Sequence, residues 1–129
     1  MPCADLFLDT WPFNGGTTTS DALWAGLPVV TCAGEAFAAR MSTSLLAAAG
    51  MPELATRSLA EYEQLALVLA TDRPRLAAIR AKLAANRSTC ALFDTDRFRR
   101  HLEAAFTEMY ERHRRGEPPA SFAVDAIEG

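Results

Sequence analysis

The fold is decided by the stretch ADLFLDTWPFNGGTTTSDALWAGLPVVTC, residues 4–32. It begins with a short apolar run between two acids at residues 5–9 and continues through residues 11–16, whose Pro, Asn and Gly are typical of a turn. Residues 17–25 carry hydroxyls and an acid in their first turns and stop before Gly26, which is the pattern of a capped helix. A β-branched run at residues 28–32 follows. The order therefore predicts a strand, a glycine-rich loop, a helix and a second strand.

The rest of the chain continues the alternation and then becomes helical. The spacing of Ser58 and Glu61 is that of a capping box, in which the two side chains satisfy backbone donors at a helix start. Asp72 is an N-cap candidate for the helix that follows. The predicted elements are a helix over residues 35–49 closed by Gly50, a weak third strand at 53–55, and helices over 58–70, 72–86 and 95–114.

Strands that alternate with helices favour a parallel sheet, because each parallel connection needs a crossover. The expected fold class is α/β, with an incomplete Rossmann-like parallel sheet, flanking helices and a helix-rich second half. Only two strands are clear, whereas such sheets have about five. An incomplete sheet leaves an unpaired edge, so we expect either self-association or a missing N-terminal portion.

The last helix and the residues after it define the expected domain limits. Apolar side chains recur in this helix at three- and four-residue spacings, which forms one stripe that we expect to be buried. Beyond Gly116 the Pro-Pro pair predicts a tail. We therefore expect a lobe at residues 1–116 and a C-terminal tail at 117–129. The residues of the stripe are Phe98, Leu102, Ala105, Phe106, Met109 and Tyr110.

Composition excludes several classes of partner. The 129 residues carry a formal net charge of only −3, with acids and bases interspersed, which argues against nucleic acid or an anionic membrane as a partner. No apolar run approaches the ~20 residues of a membrane span. Three scattered cysteines without a CxxC pair favour a reducing cytoplasm over a disulfide framework. The sequence places no second His or Cys at metal-ligand spacing from His101 or His113, so we expect no metal. We also expect no cofactor.

The loop of two glycines and the hydroxyls after it form the chemical centre of the sequence. Gly15 and Gly16 allow a ligand to approach the backbone, and the helix start that follows offers free N–H groups and the positive end of the helix dipole. The hydroxyls of residues 17–20 suit the oxygens of a diphosphate, and Asp21, one turn later, is placed to accept from ribose hydroxyls. The alternative is a simple turn followed by an N-cap. The loop is neither a Walker motif nor a GxGxxG fingerprint.

Other candidate residues each have a structural alternative. Asp9 and Thr10 end the first strand, where ligands of open α/β sheets bind, but a polar role at the strand end explains them equally well. Arg40 can face a phosphate or pair with Glu35, and the ion pair is favoured. Trp24 is expected in the core, although aromatic rings also stack on bases. Basic residues on the final helix alternate with acids and indicate a solvated face.

These motifs resemble a known family of glycosyltransferases. The runs ADLFLDT at 4–10, NGGTT at 14–18 with Asp21, LWAGLPVVT at 23–31, and Gly34-Glu35 with Arg40 resemble the C-terminal catalytic lobe of O-GlcNAc transferases and of SPINDLY O-fucosyltransferases. A weaker similarity continues through the later helices.

The resemblance implies a GT-B fold whose C-terminal lobe binds a nucleotide sugar without an obligatory metal. It implies that Thr17 and Thr18, with Gly15, Gly16 and Thr19 around them, hold the diphosphate and that Asp21 holds the ribose. Thr10, Asn14 and Arg40 are further possible contacts, and the catalytic residues are unknown. By the same resemblance, Gly16 stands where O-GlcNAc transferases carry histidine and where SPINDLY-like members carry a smaller residue, and a glycine there does not identify the base of the donor. UDP-GlcNAc is the first expectation for the donor and GDP-fucose the second.

The resemblance also implies partners. The acceptor would be a protein Ser or Thr side chain, and the N-terminal lobe of such an enzyme has no counterpart in this chain. Because a half-site cannot position donor and acceptor together, we expect no transferase activity from the chain alone. The required partner is then an N-terminal lobe, and the alternative is a non-catalytic remnant that forms homo-oligomers.

Overall fold

A computed structural model describes residues 3–126 of the chain. They form two compact units that divide between Phe93 and Asp94. The first contains strands β1 (Phe7–Leu8), β2 (Val29–Cys32) and β3 (Ala55–Thr56), with helices α1 (Thr17–Trp24), α2 (Met41–Ala48), α3 (Leu59–Thr71) and α4 (Arg73–Asn86). The second contains helix α5 (Thr95–Arg114).

The three strands form a parallel sheet in chain order, β1-β2-β3. Phe7 pairs with Val29, and Thr31 pairs with Ala55. Every residue of the central strand β2 is buried, as expected for a strand covered on both faces. This arrangement confirms the predicted α/β class with a small, open parallel sheet and a helix-rich remainder.

One hydrophobic core lies in the first unit, around β2. Val29 and Val30 pack there with Leu23 of α1 and Leu46 of α2, and Leu69 and Leu83 bring in α3 and α4. Each fully buried leucine or valine side chain contributes roughly 1.5–3 kcal/mol through the removal of apolar surface from water. The core therefore holds the four helices of the first unit against the central strand.

Helix ends follow the predicted capping residues closely. Ser58 Oγ accepts from the Glu61 amide at the start of α3, and Asp72 Oδ1 accepts from the Arg75 amide at the start of α4. Glu61 completes the cap by accepting from the Arg57 amide, one residue earlier than a standard capping box requires. Gly26 and Gly50, the predicted stops of α1 and α2, have φ values of +77° and +70°.

The predicted helix over residues 35–49 is wrong in its first part. Residues Phe37–Ala39 form a short 3-10 turn, and α2 begins only at Met41. Tertiary contacts explain the difference, because the Ala38 carbonyl accepts from the Asn14 amide and the Ala39 carbonyl accepts from the Gly34 amide. These bonds hold the segment in a tight loop instead of a continuous helix.

One prediction about burial is also wrong. Trp24 is 59% exposed and lies at the surface of the first unit, where its ring makes a T-shaped contact with the ring of Phe93 and the Arg87 guanidinium lies over it. Helical periodicity places Trp24 on α1 but does not say how deeply its side chain is covered. The large side chains of the α5 stripe are exposed in the chain by itself, so their burial against a partner stays a prediction: Phe98, Leu102, Phe106, Met109 and Tyr110.

The second unit consists of α5 and the segment after it. Gly116, with φ +72°, ends α5, and residues 117–126 have no regular secondary structure. Glu117 lies within ion-pair distance of Arg112 in the last turn of the helix and of Arg115 directly after it. The expected limits of a lobe at 1–116 and a tail at 117–129 stay a prediction.

Candidate functional site

The carboxyl ends of the three strands carry a chain of polar contacts. Asp9, directly after β1, is 6% exposed, and its Oδ2 accepts from the Thr31 hydroxyl of β2 at 2.6 Å. The Thr56 hydroxyl of β3 donates to the Thr31 carbonyl at 2.9 Å. This edge is where ligands of open parallel sheets bind.

Asp9 also holds the glycine loop. Its Oδ1 accepts from the Thr10 amide at 2.9 Å and from the Gly15 amide at 2.8 Å, so one carboxylate joins the end of β1 to the middle of the loop. The Tyr62 hydroxyl of α3 donates to the Asp9 carbonyl at 2.9 Å. Burial of the Tyr62 ring raises the pKa of its phenol, and the nearby charge of Asp9 raises this pKa further.

Asn14 packs the loop from inside. Its side chain is buried, and Nδ2 donates to the Thr10 carbonyl at 3.0 Å. Its Oδ1 has no hydrogen-bond partner within residues 3–126. Thr10, whose hydroxyl donates to the Phe13 carbonyl, is exposed. The structure therefore gives both residues a role in holding the loop, and their contact with a ligand stays a prediction.

The two glycines differ in what the fold demands of them. A Cβ on Gly15 would lie 2.6 Å from the Thr18 hydroxyl oxygen and 2.7 Å from that of Thr19. A Cβ on Gly16 would meet only Met41 Cγ, at 3.8 Å, and the backbone there has φ −106°. Packing requires the first glycine, whereas nothing in the part of the chain that the structure describes requires the second.

Helix α1 begins with free donors directly after this pair. The amide of Ser20 donates to the Gly16 carbonyl, but within residues 3–126 the amides of Gly16, Thr17, Thr18 and Thr19 have no acceptor. Four free N–H groups and the positive end of the helix dipole make the start of α1 suited to an anion.

The hydroxyls of the three threonines do not act alike. Thr17 and Thr18 are exposed and their hydroxyls have no hydrogen-bond partner among the described residues, so both are available to a ligand. Thr19 is buried and its Oγ1 lies 2.9 Å from the Ser42 hydroxyl, so Thr19 can offer a ligand its amide only. Asp21, one turn after Thr17, is exposed on the same face.

Arg40 does not form the ion pair with Glu35 that the sequence favoured. Both side chains are exposed, and within the described range no acidic group lies within ion-pair distance of Arg40. Its amide donates to the Phe37 carbonyl at the start of α2. The guanidinium is therefore uncommitted in this structure, and its contact with a phosphate stays a prediction.

Two kinds of feature are not found among the described residues. Groups of three or more His, Cys, Asp or Glu side chains close enough to hold a metal are absent from residues 3–126. In the same range, every helix falls short of the length and apolarity that crossing a bilayer requires.

Comparison with known proteins assigns this arrangement to a family. The family described as Glycosyl transferase family 41 matches residues 2–102. The chain belongs to glycosyl transferase family 41. A relative from Arabidopsis thaliana, the probable UDP-N-acetylglucosamine–peptide N-acetylglucosaminyltransferase SEC, is 43% identical over 94% of the chain. The SPINDLY protein of Oryza sativa subsp. japonica, named a probable enzyme of the same kind, is 37% identical over 96% of it.

A solved structure of the family shows the same fold. A point mutant of the O-GlcNAc transferase of Thermobaculum terrenum superposes with a TM-score of 0.76 and 40% identity over 82% of the chain, which is 20% of that protein. The chain spans only 12% of the Arabidopsis relative and 13% of the rice relative. These matches confirm the resemblance to O-GlcNAc transferases and SPINDLY proteins, and the family 41 chain described here corresponds to a small part of them.

Proposed function

We propose that this family 41 chain binds the diphosphate of UDP-N-acetylglucosamine at the start of α1, as the donor-binding part of an enzyme that glycosylates Ser and Thr side chains of proteins. The observation that carries the proposal is the set of four free amides from Gly16 to Thr19, flanked by the exposed hydroxyls of Thr17 and Thr18. Charge-assisted hydrogen bonds from amides and hydroxyls are among the stronger contacts that a phosphate can make.

Family membership supports the choice of donor. The relatives from Arabidopsis and rice carry UDP-N-acetylglucosamine in their names. In this proposal Gly15 and Gly16 let the diphosphate approach the backbone, and the exposed carboxylate of Asp21 accepts from the ribose hydroxyls. The donor is a substrate, and the proposal includes no metal and no cofactor. GDP-fucose is the alternative donor, which the resemblance to SPINDLY O-fucosyltransferases leaves open.

Nucleotide titration tests the proposal directly. We expect isothermal titration to show UDP binding in the micromolar to millimolar range and weaker binding of GDP. Replacing Thr17 and Thr18 together with alanine should weaken UDP binding at least about tenfold, because two hydrogen bonds to a charged group are lost. Thr107→Ala, an exposed threonine on α5, is the matched control and should leave the affinity unchanged. Absence of binding by both nucleotides at millimolar concentration would refute the proposal.

A second lobe is the proposed partner of this chain. The exposed apolar stripe of α5 and the small share of the relatives that the chain covers support contact with another part of the enzyme. Large exposed apolar patches mark interaction surfaces. We propose that the chain alone does not transfer sugar, because acceptor and donor are then not held together.

Three free cysteines favour a reducing cytoplasm as the location of the protein.

Association of two copies is the rival role for the same stripe. Under the proposed function, the chain should run as a monomer that binds UDP in size-exclusion chromatography with light scattering. A ligand-free dimer that Phe106→Glu converts to a monomer would instead favour a non-catalytic dimerisation module. Leu67→Glu provides the control, because Leu67 is an exposed apolar residue on α3 outside the stripe.

A further inference from the structure

A relay of two hydroxyls connects α2 to the glycine loop. Ser42, in the first turn of α2, is fully buried, and its Oγ donates to the Gly15 carbonyl at 2.9 Å. Thr19 Oγ1 lies 2.9 Å from the same Ser42 oxygen. Because a serine hydroxyl has a single proton and that proton goes to Gly15, Thr19 must be the donor to Ser42. The relay therefore runs from Thr19 through Ser42 to the Gly15 carbonyl.

The Gly15 carbonyl shares a peptide plane with the Gly16 amide. In a planar trans peptide the C=O and the following N–H point in opposite directions. Ser42 fixes the direction of the C=O, so it also fixes the direction of the Gly16 N–H, which then points away from α2. That N–H is the first of the four amides without an acceptor in the described part of the chain.

The preceding peptide is held as well. Asp9 Oδ1 accepts from the Gly15 amide at 2.8 Å, so the N–H and the C=O of Gly15 each bond to a buried side chain, Asp9 and Ser42. Glycine has more backbone freedom than any other residue, and without these bonds the 15–16 peptide can rotate into several conformations. The hydrogen bonds to Asp9 and Ser42 together restrict the 15–16 peptide to one orientation.

We propose that Ser42 is a positioning residue, whose hydroxyl aims the Gly16 N–H at the diphosphate of the bound nucleotide. This role rests on the proposed function, because it assumes that the start of α1 receives that diphosphate. Ser42 itself is buried behind the loop and does not touch the ligand. Pre-orienting one amide increases affinity by removing the cost of ordering the peptide when the ligand binds.

The test compares ligands with and without phosphate. Ser42→Ala should weaken UDP binding about tenfold, since one oriented donor to a charged group is lost, and should leave uridine binding within about twofold of the wild type. Ser42→Cys keeps the shape with a weaker donor and should give an intermediate effect. Thr43→Val is the matched control, because the adjacent Thr43 hydroxyl is buried without a partner within residues 3–126.

A measurement without ligand separates this inference from the function on which it rests. The residual dipolar coupling of the Gly16 N–H, measured by NMR, should change in Ser42→Ala and stay the same in Thr43→Val. An unchanged coupling, equal UDP affinity in wild type and Ser42→Ala, or a parallel loss of uridine and UDP binding would each overturn the positioning role. If the wild type binds no nucleotide but the coupling changes, the proposed function fails while the orientation of the amide by Ser42 stands.

Discussion

Replacing Asp9 with alanine is expected to lower the free energy of unfolding by about 3–5 kcal/mol, one of the two largest effects of any single change at the site. The carboxylate accepts from the Thr10 and Gly15 amides and from the Thr31 hydroxyl. Alanine leaves these donors without an acceptor in a largely buried position, and each unsatisfied donor costs roughly 1–3 kcal/mol. Urea unfolding followed by circular dichroism measures the loss.

Two further variants show whether hydrogen bonding explains this loss. Asp9→Asn keeps one oxygen for the two amides and turns an NH2 group toward Thr31, whose hydroxyl can accept, so it should cost less than half as much as alanine. Asp5→Ala removes an acid at the opposite end of β1, whose side chain is 81% exposed in its ion pair with Arg80, and it should cost under about 1 kcal/mol. Equal losses for Asp9→Ala and Asp9→Asn would show that charge, and not hydrogen bonding, holds the loop.

Replacing the two glycines of the loop with alanine should change stability by very different amounts. Gly15→Ala is expected to destabilise the protein by about 2–3 kcal/mol, because its methyl group would lie within 2.7 Å of two threonine hydroxyl oxygens and 3.3 Å from Asp9 Oδ1. Gly16→Ala should change the free energy of unfolding by less than about 0.5 kcal/mol, since Met41 Cγ at 3.8 Å is its one close neighbour. Thermal and urea unfolding of the two variants under identical conditions provide the comparison.

The side-by-side placement of these residues makes the comparison stringent. Both changes add one methyl group to the same loop, so differences in the unfolded state largely cancel. Similar losses at both positions would mean that the loop repacks around an added methyl group and that the tight contacts at Gly15 do not determine its conformation.

Local signals predicted most of the fold correctly. Ser58 and Asp72 cap the helices at which they were expected, and Gly26 and Gly50 end theirs with positive φ values. These caps and stops depend on residues three or four positions apart in the chain, so they can be recognised from the sequence alone. The start of α2 was missed because bonds from the Asn14 and Gly34 amides hold the preceding loop, and Asn14 is 24 positions from its partner Ala38.

The candidate site was predicted only in its exposed part. The free amides and the exposed hydroxyls of Thr17 and Thr18 follow from a glycine loop before a helix. The residues that hold the loop were not identified as such, because Ser42 is 27 positions from Gly15 and Tyr62 is 53 positions from Asp9. A serine in an apolar helix and a tyrosine after a capping box have no local signal for such contacts. Thr19 shows the same limit, since its hydroxyl faces Ser42 and not the surface.

The order of the sheet has a consequence for how this chain folds. Each strand pairs with the next strand along the sequence, β1 with β2 and β2 with β3, and a single crossover closes each pairing. The entropy lost on closing a loop grows only with the logarithm of its length, so the two closures cost similar amounts. During synthesis on the ribosome, β2 can therefore pair with β1 as soon as it emerges, and β3 can add to a pair that already exists. The polar contacts of Asp9, Thr31 and Thr56 at the strand ends can then form in the order in which the three strands are translated.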